Sequence, residues 1–197
     1  MASKTFPLHS ALKAQTHDAH MKMHRHPLLS PLQDKSISSP EYFGILRAFY
    51  EFHAAYEKAF KDIDRKFEHE FCPVDMLEKD FDALSLSRPE IVHMADVKDT
   101  CFSSYIGYLY VKQGSTLGGQ YISAQLQKNL GLIKGENLFY FNGYGSDNGN
   151  IWRSFLSYIE DQSPHVKEEV AVKAAKNVFH DMDAFFKVKY TQSAGEA

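Results

Sequence analysis

Cysteine is scarce in this chain, and the two present, Cys72 and Cys101, match neither a disulfide framework nor a Cys-x-x-Cys metal motif. A disulfide-stapled secreted scaffold is thereby excluded, and a reducing cytoplasm is the expected compartment. An excess of positive charge is also missing: 22 Lys and Arg stand against 25 Asp and Glu, with no basic run. A nucleic-acid backbone has nothing to track, so nucleic acid is not an expected partner. Long apolar runs are absent too. Residues 100–127, the longest weakly charged stretch, contain Lys112 and many Ser, Gln and Gly, and fall short of the roughly 20 apolar residues that span a bilayer. The first residues, MASKTFPLHSALK, lack the apolar segment of a signal peptide. Neither export nor membrane insertion is expected.

Helical periodicity and aromatic side chains are abundant instead. With 197 residues, 15 Phe and 11 Tyr, the chain can bury one large core, and a single all-α domain over 1–197 is predicted, its core at about 8–190. Residues 8–25 place Leu12, Thr16, Ala19 and Met23 on one stripe, and two prolines in HPLLSPL follow. Ser39 and Pro40 open a second helix as N-cap and first helical residue. Pro73 opens a third through Leu86, and Ser163 and Pro164 open the last, to about residue 189. Residues 98–129 read as helix on both sides of QGSTLGGQ, whose glycines predict a kink. Residues 131–149 read as loop around a short FYF element, and 150–161 as a further helix.

Two features carry chemistry. His17, His20 and His24 of THDAHMKMHRH fall with Lys13, just before it, along one flank of the core-facing stripe. That flank reads as solvated polarity, as a zinc site on His20 and His24 although Met21 stands where HExxH has its glutamate, or as an axial ligand to an iron cofactor. In QGSTLGGQ, Gly114 and Gly118 lie one turn apart beside Gly119, leaving helix backbone bare for close helix packing or for a flat ligand.

LKAQTHDAH, HPLLSPL, the aromatic run Tyr42–Tyr50, LYVKQGSTLGGQ and GYGSDNGNIWRSF together, and in this order, resemble bacterial heme oxygenases that make biliverdin. The resemblance covers about residues 8–190. It implies an all-α heme oxygenase-like fold with a glycine-kinked distal helix, His20 as the axial ligand of the heme iron, and Gly114, Ser115 and Gly118 on the oxygen-binding side. It also implies Lys13 and Arg153 on the heme propionates and Phe179 lining the pocket. Heme would be both cofactor and substrate, cleaved to biliverdin, CO and free iron with O2 and electrons from an external reductase or ferredoxin; a bilin-accepting protein is a further partner. Ser115 replaces the aspartate of mammalian-type members, and His24 stands where an acidic residue is common. The alternatives are a heme-binding or storage protein without turnover and a di-iron oxidase, for which Glu90-x-x-His93 is the single ligand-like match.

Overall fold

In the computed structural model, residues 7–34, 36–91 and 97–195 are described. Six α-helices run in chain order: α1 Pro7–Met23, α2 Ser39–Ala59, α3 Pro73–Ala83, α4 Phe102–Leu130, α5 Asn148–Gln162 and α6 Glu168–Gly195. The all-α reading holds, and among the described residues the FYF segment forms turns beside one isolated bridge between Lys134 and Leu138 rather than a strand. No helix among the described residues is long and apolar enough to cross a membrane.

Local chemistry sets the ends of these helices. The cap of α2 is Ser38, one residue before the predicted Ser39: its hydroxyl accepts from the Glu41 N–H, and the Glu41 carboxylate accepts from the Ser38 N–H at 2.8 Å. This reciprocal pair satisfies two of the amide donors that a helix start leaves free. α3 stops at Ala83, three residues before the predicted Leu86, and Ser85 beyond it takes a positive φ of 56°. α4 passes through all three glycines as one unbroken helix of 29 residues and ends at Gly131 with φ 67°, the left-handed cap that glycine adopts without penalty.

α6 is the spine of the packing, lying against both α4 and α1, while α5 touches α4 and α1 from another side. The α4–α6 crossing is close because Gly107 has no side chain; a Cβ there would approach the Ala175 backbone nitrogen to 2.8 Å. Leu12, Leu46, Phe52, Phe81, Tyr105, Leu109, Phe155 and Phe186 fill the core between the helices. Lys22 to Asp183 at 2.7 Å and Lys189 to Glu51 at 2.6 Å tie α6 to α1 and α2. The 131–149 connection is held from inside by Asp80, whose buried carboxylate accepts from the Phe139 and Tyr140 N–H groups at 2.7 and 3.0 Å. Burial lifts its pKa to about 6 against the opposing pull of those two donors.

Candidate functional site

On α1, Thr16 is buried and donates its hydroxyl to the Leu12 carbonyl at 2.8 Å, one turn back. Its side chain also meets the Tyr110 phenol of α4, so α1 and α4 touch at this level. One turn further on, the His20 ring lies edge-to-face against Phe179 of α6, with centroids 5.9 Å apart, and against His24 at 4.6 Å. The pKa of His20 is pushed below the usual value, first by burial against these rings and then by His24 and His17. A neutral imidazole at pH 7 keeps a nitrogen lone pair for a metal. Lys13 is exposed on the same helix, and its charge, after burial, lowers the pKa of His9.

The three glycines of QGSTLGGQ divide the labour. At Gly119 a Cβ would come within 2.7 Å of the Phe141 carbonyl oxygen, so this glycine is spent on close packing against the 131–149 connection. At Gly118 a Cβ would meet nothing within 4 Å, and at Gly114 only the Trp152 ring edge at 3.9 Å. Close packing therefore explains Gly119, and leaves Gly118 as bare backbone facing open space and Gly114 in no more than ordinary contact with Trp152. Leu117 and Tyr121, 39% and 61% exposed, flank Gly118. Ser115 is exposed and donates its hydroxyl to the Lys112 carbonyl at 2.7 Å; its oxygen keeps lone pairs free to accept.

His9, Tyr110 and Trp152 form an aromatic trio with centroids 5.8 to 6.2 Å apart, and Trp152 also borders Gly114. The trio escaped the sequence reading, although Tyr110 precedes Gly114, and His9 precedes Lys13, by one helical turn. His20 and Phe179 are thus brought together, and α1, α4 and α5 converge near Gly114. Arg153 is not part of this convergence. It is exposed, donates to Asn150 Oδ1 at 2.5 Å, and lines a groove of about 710 Å³ with Lys66, His69 and Tyr158. A second groove of about 580 Å³ is lined by His17, Lys22, Arg25, Asp183 and Lys187.

Among the described residues no group of three His, Cys, Asp or Glu is placed to hold a metal ion. Glu90 is exposed, and its motif partner His93 lies outside the described residues. A histidine without a second ligating side chain beside it suits an iron whose other ligands come with a macrocycle.

The family model described as heme oxygenase matches residues 6–187. The chain belongs to the heme oxygenase family. Heme is its substrate, and the activity is oxidative heme degradation. Among solved structures it is similar to heme oxygenase from Leptospira interrogans, with a TM-score of 0.70, 14% identity, and 91% of this chain and 98% of that chain covered. It is likewise similar to heme oxygenase-1 from the cyanobacterium Synechocystis in complex with heme, with a TM-score of 0.70, 20% identity, and coverage of 91% and 90%. Curated protein sequences give no match. Nothing in these comparisons favours a storage protein without turnover over this heme oxygenase.

Proposed function

We propose that heme binds between α1 and α4, with His20 as its axial ligand and the backbone of Gly114 and Gly118 over its other face. The observation that carries this reading is the division among the glycines: Gly119 is filled by Phe141, whereas a Cβ at Gly118 would project into open space. The residues fit the group, since a neutral imidazole suits iron and bare backbone admits a flat ring closely. Bound heme supplies the iron at which O2 is reduced, and its own ring is opened to biliverdin with release of CO and iron.

The protein binds, orients and supplies protons. Phe179 holds the His20 ring edge-on at 5.9 Å and so sets the plane of the ligand. Gly114 and Gly118 leave no side chain to block oxygen, while the Ser115 oxygen, anchored through its own proton to Lys112, accepts from water and orders it. The Lys13 ammonium, two turns before His20 and about 10 Å along α1, pairs with a propionate and fixes the ring's rotation about the His20 axis. Rotation decides which meso edge faces the distal side, and so which isomer forms. Arg153, about 100° around α5 from Trp152, reaches a propionate only by releasing Asn150. Electrons come from an external reductase or ferredoxin, and a reducing cytoplasm suits the two free thiols.

The test is aerobic turnover of hemin with a reductase, following loss of the Soret band, growth of bilin absorbance and the identity of the isomer. His20→Ala is expected to abolish turnover, and Gly118→Leu to fold but exclude hemin. A stable ferric or oxy-ferrous complex in place of bilin identifies a heme carrier. Normal turnover by Gly118→Leu overturns the distal assignment.

A further inference from the structure

A heme ligand needs one histidine, yet the α1 flank carries three, and His24 is not left to chance. It is the first residue beyond α1, and its N–H reaches the His20 carbonyl at 3.4 Å. Its own carbonyl accepts from Gln33 Nε2 at 2.9 Å. The next two residues close the turn: Arg25 N–H donates to Lys22 O at 3.0 Å and His26 N–H to Met23 O at 3.1 Å. His26 is in turn buried, with Nδ1 accepting from the Leu28 N–H at 3.1 Å and its ring against Phe186. Gln33 and the buried His26 therefore pin the backbone at and just after His24, whose ring lies against His20 at 4.6 Å and 82°.

A metal-bound imidazole is oriented by what meets its other edge, and that partner sets how much electron density the ligand passes to the metal. For His20, among the described residues, the neighbouring rings are Phe179 and His24, and the charges that act on it are those of His24 and His17. Asp18, two residues before it on α1, projects about 200° around the helix. The outer edge of the His20 ring thus meets aromatic rings where a carboxylate would draw off its N–H proton.

Resting on the reading of His20 as the axial ligand, we propose that His24 is a positioning residue: its pinned ring fixes the plane of the His20 imidazole and keeps a carboxylate from that edge. An imidazole so placed is a weaker donor than one hydrogen-bonded to a carboxylate. The ferrous form of the complex is favoured accordingly.

The test uses the hemin complex of the full chain in wild type, His20→Ala, His24→Ala, His24→Phe, His24→Glu and Gln33→Ala. Three quantities are read: hemin affinity, the ferric/ferrous potential, and the frequency and width of the iron–imidazole stretch by resonance Raman. His24→Glu is expected to raise the stretching frequency and lower the potential while His20 stays bound. His24→Ala is expected to broaden the stretch and weaken hemin binding about tenfold. His24→Phe restores the narrow band because the edge-to-face contact is kept, and Gln33→Ala broadens it without touching either ring. Identical bands and potentials across the His24 and Gln33 variants, with the band lost only in His20→Ala, overturn the positioning role and leave the ligand reading intact. A band that persists in His20→Ala and vanishes in His24→Ala overturns the ligand reading, and this inference with it.

Discussion

Gly118 and Gly119 are neighbours in sequence with opposite functions. Glycine in a helix interior costs about 1 kcal/mol relative to alanine, so Gly118→Ala, whose methyl meets nothing within 4 Å, is expected to stabilise the heme-free protein by up to about that amount. Gly119→Ala forces a methyl against the Phe141 carbonyl and is expected to destabilise by about 1–3 kcal/mol. Urea unfolding of the two variants measures both signs. The sequence showed that the stretch was bare but not which glycine was spent on packing. That depends on Phe141, more than 20 residues away in a connection whose path follows from Asp80 gripping Phe139 and Tyr140. His20 and Phe179 were singled out by the family resemblance, because helical spacing alone leaves Lys13, His17, His20 and His24 together on one flank. His9, Tyr110 and Trp152 were not, because three separate helices must pack before they meet.

At the scale of elements, proline announced the starts of α2 and α3, whereas the predicted Ser163–Pro164 start of the last helix is only a 3-10 turn, Ser163–His165, and α6 begins at Glu168. The α2 start is the clearest case, and Ser38→Ala, which removes the capping hydroxyl while leaving Glu41 in place, is expected to cost about 1 kcal/mol. Thermal unfolding of that variant against Ser39→Ala checks that the cap is Ser38. The glycines of α4 leave its helix uninterrupted over 29 residues. Packing along α6 and α5 carries the helix through its glycines, and tertiary contacts routinely override propensity of this size. Rotation also sorts neighbours on α5: one residue along a helix is 100°, so Arg153 lies in the Lys66 and His69 groove while Trp152 borders Gly114.

Acid stability belongs to the whole molecule, because its two strongest contributors are buried in different places and act with opposite sign. Burial, then Lys112, pushes the pKa of His53 down to about 3. The unfolded chain therefore takes up that proton first, and stability held above pH 6.5 is lost as pH falls towards 3. The loss is about 5 kcal/mol when complete. Asp80, with a folded pKa of about 6, binds its proton first in the native state. Its burial penalty is present above pH 6 and is relieved as pH falls to about 4, a gain of about 3 kcal/mol. The two contributions oppose each other between pH 6 and 4, and only that of His53 remains below. Asp80→Asn is expected to steepen the loss, with unfolding free energy falling by about 3 kcal/mol from pH 6.5 to 4.5, and His53→Gln to flatten it. Urea titrations at those two pH values compare the slopes.

Gly107 and Gly119 are the two places where α4 is pressed backbone to backbone, on α6 and on the Phe141 connection respectively. Twelve residues separate them, about 18 Å of helix, and the Gly114–Gly118 strip lies within that length. The helix is thus a beam resting on two abutments, with the proposed heme slot between them. Headroom in the slot is then set at the supports, so a methyl group at either one tilts the beam without touching the ligand, and the isomer ratio of the bilin product is where that tilt would register.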